Sequence, residues 1–229
     1  MPEDPPIKNW TFNRWQEPAI LISTTLAILA AVITILNPSW LTVIILILIT
    51  AVWILILYFF RDPDRVPPDQ PDLVVGPGDG EVVSIKEVKE VRYLNKECVQ
   101  ISIFLSVFDV HVQRSPITGI VLKVDHQPGK FLQAFRPEAS DVNEYIAMLI
   151  DTPYGEILVK QIAGILARRC INYAQTGDKI NTGQRYGHIK FGSRVDLFLP
   201  PQAEVRIKVG DKVFGGITPI AQLNHQDNE

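Results

Sequence analysis

Two uncharged apolar runs, "AILISTTLAILAAVITIL" (19–36) and "WLTVIILILITAVWILILYFF" (40–60), constrain this chain more than any other feature. An α-helix rises about 1.5 Å per residue, so the second run reaches about 30 Å, the thickness of a bilayer core, and the first about 27 Å. Only "NPS" (37–39) separates them, and Asn-Pro breaks a helix, so the pattern predicts two antiparallel helices in a membrane hairpin. A cleaved signal peptide fits poorly, because residues 1–18 mix acids with bases and a second apolar run follows at once.

A hairpin leaves both flanks on one side of the membrane. Lys8 and Arg14 precede it, Arg61 and Arg65 follow it, and the turn between the runs carries neither Lys nor Arg. The positive-inside rule then predicts a cytoplasmic segment 1–18 and a cytoplasmic C-terminal domain at the cell membrane. Insertion into one leaflet without crossing remains an alternative.

Composition changes after the second run. "RDPDRVPPDQPD" (61–72) has four prolines among acids and bases and reads as a linker. From Leu73 to Glu229 short alternating segments are punctuated by Gly and Pro: "GEVVSIKEV", "CVQISIFLS", "GIVLKVDHQ", "YIAMLID", "GEILVKQIAG", "GHIKFGS", "RVDLFLP" and "AEVRIKVGD". "AGILARRCI" (163–171) reads as a short helix. The expected fold is therefore mainly β, an antiparallel sandwich or barrel-like domain over 73–229 with little helix, preceded by the two-helix hairpin.

The net charge of −3 carries no basic run that would favour nucleic acid. Cys98 and Cys170 lack metal-ligand spacing and read as reduced core residues, so no metal is expected. Paired "TGDKINTG" and "VGDKVFGG" hairpins also occur in lipoyl and biotinyl carrier domains, a rival reading as a membrane-anchored carrier or adaptor module. A carrier needs a modified lysine at a hairpin tip, and Lys190, the nearest one, lies too close to Gly183-Gln184.

Few residues offer chemistry. His225 sits in a polar end and His126 before a turn, and neither carries an expected role. His111 stands with Asp109 and Arg114 at the end of an apolar run, where a hydrogen-bonded structural histidine is the competing reading. Asp79 lies in "GPGDG", where flanking glycines expose a carboxylate, and an ordinary turn Asp explains it equally well. Gly192-Ser193, at the threshold of an alternating strand, reads in isolation as a turn.

"YFFRDPDRVPP", "GPGDGEV", "SVFDVHVQRSP", "KQIAGILARR" and "GQRYGHIKFGSRVDLFLP", in this order from Tyr58 to Pro200, change those odds. Together they resemble the short-form phosphatidylserine decarboxylases, including their archaetidylserine relatives. The resemblance implies a pyruvoyl-dependent decarboxylase that makes phosphatidylethanolamine from phosphatidylserine in the membrane, or acts on the archaeol-based serine lipid. It implies self-cleavage between Gly192 and Ser193 into a longer β chain and a short α chain, with an assembly of several copies left open. Ser193 would become the pyruvoyl group, the bound pyruvate cofactor that takes the substrate amine as a Schiff base. Asp79, His111 and Ser193 match the family's Asp-His-Ser processing set. Longer members carry Thr at the place of Arg194 and a second histidine at that of Arg114. His188 fits the motif of some members without an implied role.

These residue types suit such chemistry. Self-cleavage needs Ser193 Oγ to attack the carbonyl just before it, and glycine at 192 offers no side chain to block the approach. A serine hydroxyl needs a base to take its proton, which His111 would supply, with Asp79 fixing the imidazole tautomer. A pyruvoyl carbonyl accepts the electrons left by CO₂, as PLP does elsewhere.

Overall fold

The computed structural model describes residues 17–136, 138–165, 170–189 and 192–224. It divides into two compact units, a helical one that ends at Pro63 and a β unit that starts at Asp64.

The helical unit holds α1 (Pro18–Leu36) and α2 (Trp40–Phe59). Pro18 opens α1, where its missing N–H is not needed. Ser39 caps α2 through a reciprocal pair of hydrogen bonds with Thr42. Trp53 Nε1 donates to Thr24 Oγ1 at 2.9 Å and Thr34 Oγ1 to the Thr42 carbonyl at 3.2 Å, so the helices run antiparallel as a hairpin. Both are long and apolar enough to cross a membrane. Their apolar side chains point outward on most sides, with Ile35 77% and Trp40 76% exposed, which is the arrangement lipid rather than water would cover. Lys8 and Arg14 of the charge argument lie outside the described residues.

The β unit begins with β1 (Leu73–Val75), β2 (Gly80–Glu90), β3 (Lys96–Leu105), β4 (Val112–Arg114) and β5 (Gly119–Gln127). A single turn, α3 (Ala139–Val142), precedes β6 (Tyr145–Asp151), β7 (Ile157–Ile162), β8 (Cys170–Asn172) and β9 (Lys179–Ile180). Then follow β10 (Arg185–Ile189), β11 (Ser193–Leu199), β12 (Glu204–Val205), β13 (Lys212–Val213) and β14 (Pro219–Gln222). The main antiparallel sheet has the order β13-β2-β3-β11-β7-β6-β5-β9, beside two small sheets, β1-β14-β12 and β4-β10-β8. Register shifts at 82/84 in β2 and 121/123 in β5 are bulges, which bend strands and curl a sheet. The expected mainly antiparallel β domain with little helix, behind two apolar helices, is what the chain forms.

Strand β11 lies in the middle of the main sheet, paired with β3 on one side and β7 on the other. Val195, Leu197 and Leu199 enter the main core with Ile101, Ile103, Val159 and Met148, as the alternation predicts. The other face of β11 is buried too. Phe198 joins a second cluster with Leu158, Tyr145 and Cys98, and Arg194 and Asp196 are 3% and 0% exposed.

Two segments differ from the sequence reading. Residues 166–169 of the expected helix lie outside the described residues, but Cys170–Asn172 is a strand that pairs with β10. "AEVRIKVGD" forms strand only at Glu204–Val205, with one further bond from Arg206 N to the Ile220 carbonyl, before the chain turns at Lys208 and Asp211. Cys98 and Cys170 are both buried and free.

Candidate active site

Ser193 opens β11 opposite Leu105 of β3, and its side chain is completely enclosed. Its Oγ is buried without a hydrogen-bond partner among the described residues. Leaving a buried hydroxyl unmatched costs about 1–3 kcal/mol. Just ahead of it, Gly192 has a φ of +51°, in the left-handed region where a side chain adds about 1–2 kcal/mol of strain. An added Cβ at Gly192 would meet nothing within 4 Å, so backbone conformation rather than space requires glycine there.

Space, by contrast, decides Gly164. A Cβ at this position would run into the Gly192 carbonyl oxygen, the acceptor end of the bond that joins Gly192 to Ser193. Gly164 lies two residues after the end of β7, so the sheet carries it close to that carbonyl. The "KQIAGILARR" motif contains this glycine, but reading the segment as a helix concealed its contact with a residue 28 positions later.

His111 lies just before β4, and its carbonyl accepts from Ile189 N at 3.2 Å at the end of β10. This pairing brings it to the stretch of chain that runs into Gly192. The imidazole is 4% exposed, and its Nδ1 is 2.9 Å from the Asp109 carbonyl oxygen. A carbonyl only accepts, so Nδ1 carries the proton and a neutral ring presents Nε2 as its basic nitrogen. Asp109 in turn is fixed by its own turn, where its carboxylate accepts from Ser106 N at 2.8 Å and Ser106 Oγ at 2.6 Å.

Asp79 sits in a different setting from the one the sequence reading assigns. Both of its oxygens accept from the Arg65 guanidinium, the Nη2–Oδ2 bond being 2.7 Å, and Gly215 N donates a further bond of 2.9 Å to Oδ1. The two side chains are 7% and 6% exposed. The hydrogen bond that fixes the His111 tautomer therefore comes from the Asp109 backbone, and Asp79 is held by Arg65. In β-sheet register the β2 ladder starts with Glu81 opposite Phe104, one residue before Leu105, while Ser193 pairs with Leu105 from the β11 side. Asp79 and Ser193 thus flank the same end of β3, about two strand spacings, or roughly 10 Å, apart at the backbone.

Arg65, which holds Asp79, is the partner in this network that the residue patterns do not reveal. Its proline-rich, charged surroundings read as a linker, yet the β unit starts at Asp64 and Arg65 also donates to the Gly215 carbonyl at 2.6 Å. The available signal was the basic residue fixed inside "RDPDRVPP".

The remaining candidates are placed as follows. Arg114 is buried and donates to the Gly183 carbonyl at 3.1 Å. His188 Nδ1 lies 3.0 Å from the Tyr173 hydroxyl. Arg194 binds Asp196 through Nε at 2.5 Å and Nη2 at 2.9 Å, and Ser102 Oγ at 2.9 Å. His126 pairs with Glu144 at 3.3 Å on the surface. Lys190, on which the carrier reading rests, and His225 lie outside the described residues.

A curled antiparallel sheet thus carries a Gly-Ser pair at the head of its central strand, with the serine buried. The family model described as phosphatidylserine decarboxylase matches residues 53–221. A phosphatidylserine decarboxylase proenzyme of Parabacteroides distasonis is 47% identical over 177 residues, 76% of this chain and 80% of the relative. Proenzymes of the same name from Amoebophilus asiaticus and Burkholderia ambifaria are 44% and 43% identical over 175 residues, again about three quarters of this chain and 78% and 81% of theirs. The chain belongs to the phosphatidylserine decarboxylase family.

Proposed function

We propose that this chain is a membrane-held proenzyme that cuts itself between Gly192 and Ser193 and then decarboxylates phosphatidylserine to phosphatidylethanolamine. One observation carries the reading: a wholly buried serine hydroxyl without a hydrogen-bond partner among the described residues, directly after a glycine held at φ +51°. A buried hydroxyl left unmatched beside a residue with no side chain to block its approach to the preceding carbonyl is an arrangement that a purely structural strand gains nothing by keeping.

His111 Nε2 takes the Ser193 hydroxyl proton as Oγ attacks the Gly192 carbonyl carbon. The Gly192–Ser193 C–N bond breaks, the nitrogen is protonated, and an ester joins the two chains through the serine oxygen. Loss of the Ser193 Cα proton expels that oxygen with the Gly192 carboxylate and leaves dehydroalanine. Its imine tautomer takes up water and releases ammonia, so the shorter chain starts with a pyruvoyl group. The residues fit that group: position 193 is already buried, and Gly164 and Gly192 keep side chains away from its start. Once formed, the pyruvoyl carbonyl supplies the electron sink for the loss of CO₂.

Around it, the chain's own residues hold the geometry. Arg65 and Gly215 N anchor Asp79, whose turn lines the same end of β3, and the Asp109 carbonyl keeps His111 in the tautomer that can accept and return a proton. The two apolar helices hold the enzyme at the membrane where its substrate resides. Arg61 and Arg65 after α2, with Lys8 and Arg14 before α1, support a cytoplasmic site.

Substrate identity is tested by supplying purified enzyme with phosphatidylserine or archaetidylserine and measuring CO₂ release. Turnover of the diacyl lipid that carbonyl-trapping reagents abolish is the expected result. Turnover unaffected by such reagents would overturn the pyruvoyl reading. Removal of the base by His111→Ala is expected to slow cleavage about 10²–10⁴-fold, followed as the disappearance of full-length chain.

A further inference from the structure

Exposed apolar side chains gather around the proposed cleavage site from three separate segments. Val107 and Phe108 are 37% and 62% exposed, Phe131 and Phe135 39% and 56%, and Ile165 51%. Val107 and Phe108 follow Leu105, the register partner of Ser193. Ile165 follows Gly164, which lies against the Gly192 carbonyl. The Phe135 ring stands edge-on to Phe104 at 6.0 Å, and Phe104 is the register partner of Arg194. Single exposed apolar residues are ordinary, but a group of them drawn from three segments near the head of one strand marks a surface that meets an apolar partner.

We propose that this rim seats on the bilayer surface, so that the site at the head of β11 opens against the lipid headgroups. The inference rests on the lipid-decarboxylase reading above and adds the surface by which the domain meets its substrate. Three observations favour a bilayer over a second copy or another protein. The same chain carries two helices with the length and apolarity to cross a membrane. Only residues 61–64 separate Phe60, at the end of α2, from Arg65, which is bound to Asp79. Five steps of chain span at most about 18 Å, so a membrane that holds α2 stays within a short tether of the site's own frame. Exposed Lys130 also stands next to Phe131, a cation beside an apolar tip that suits an anionic headgroup layer, whereas Arg136 beside Phe135 is paired with Glu138 at 3.6 Å. At the far end of β3, the β2–β3 turn exposes Val91 at 68% beside Glu90 and Arg92, an isolated apolar residue among charges.

The test uses the full chain in liposomes of phosphatidylcholine and phosphatidylserine, with a nitroxide placed by Phe135→Cys, Ile165→Cys or Val91→Cys. Native Cys98 and Cys170 are buried and their thiols are pushed up in pKa, chiefly by desolvation, so they do not compete for the label. The expected ratio of oxygen to nickel-chelate collisions is about tenfold higher at 135 and 165 than at 91. Equal ratios at all three positions would overturn the proposal, as would labels at 135 and 165 shielded from both agents, the mark of a protein partner. A second arm uses Phe135→Ser combined with Ile165→Ser, confirmed as correctly cut by intact mass. Turnover of long-chain phosphatidylserine in bilayers is expected to fall about tenfold while that of monomeric short-chain phosphatidylserine stays unchanged. Equal loss on both substrates, or loss on neither, would contradict it. A chain that never cuts itself fails the decarboxylase reading, whereas the nitroxide ratios report on docking alone.

Discussion

Strand β11 holds two buried polar sites three residues apart that are treated in opposite ways. At its middle residue, Asp196 accepts from Arg194 Nε and Nη2, from Gln100 Nε2 at 2.7 Å and from Ser140 Oγ at 2.7 Å. At its first position Ser193 Oγ has no partner among the described residues, behind a glycine at φ +51°. The Asp196 network ties β11 to β3 and to the segment around α3, and Arg194 Nη1 extends it to the Arg136 carbonyl at 3.2 Å. A reactive bond keeps its geometry only where its surroundings hold it in place. The saturated site is the frame, and the unsatisfied site is the chemistry it holds in place.

The sharpest way to break this contrast is to remove the hydroxyl. Ser193→Ala is expected to abolish cleavage and decarboxylation together, leaving one full-length band on a denaturing gel, with the fold intact. Next comes the carbonyl that the hydroxyl attacks. Gly164→Ala puts a methyl group against the Gly192 oxygen, and a displacement near 1 Å at a reacting centre costs about 10²-fold in rate. Cleavage followed by time-resolved gel should slow by about that factor while circular dichroism stays unchanged; cleavage at the normal rate would remove Gly164 from the account.

Removing the frame should act mainly on stability. Asp196→Ala leaves the buried Arg194 guanidinium uncompensated, and breaking such a pair costs about 3–5 kcal/mol. Urea unfolding in the uncut Ser193→Ala background would measure this on a single chain. The smallest effect concerns the cysteines, where burial pushes both thiols up in pKa. Neither should react with thiol reagents at neutral pH until the domain unfolds.

Much of the frame was legible from residue patterns, for definite reasons. β5 matches the quoted segment "GIVLKVDHQ" because polar residues interrupt its apolar ones, and β6 matches "YIAMLID" because a strand buried on both faces shows as a short unbroken apolar run. β9, β12 and β13, two residues each, are too short to show any period. The alternation of β11 tells which side chains share a face, but not that Ser140 and the Arg136 carbonyl cover the polar one. The site was less legible. The ordered motifs picked out Asp79, His111 and Ser193, while the partners that shape them lie elsewhere in sequence: Arg65 in a stretch with linker composition, Gly164 in one with helix-like composition, and the Asp109 carbonyl in the backbone, where no side-chain pattern records it.

Intact mass spectrometry of freshly purified protein tests the central claim most directly. The account expects two chains, 1–192 ending in a glycine carboxylate and 193–229 lighter by one ammonia than a chain that starts with serine. A single unbroken polypeptide that nonetheless decarboxylates its lipid, or a shorter chain that starts with unmodified serine in active enzyme, would contradict it.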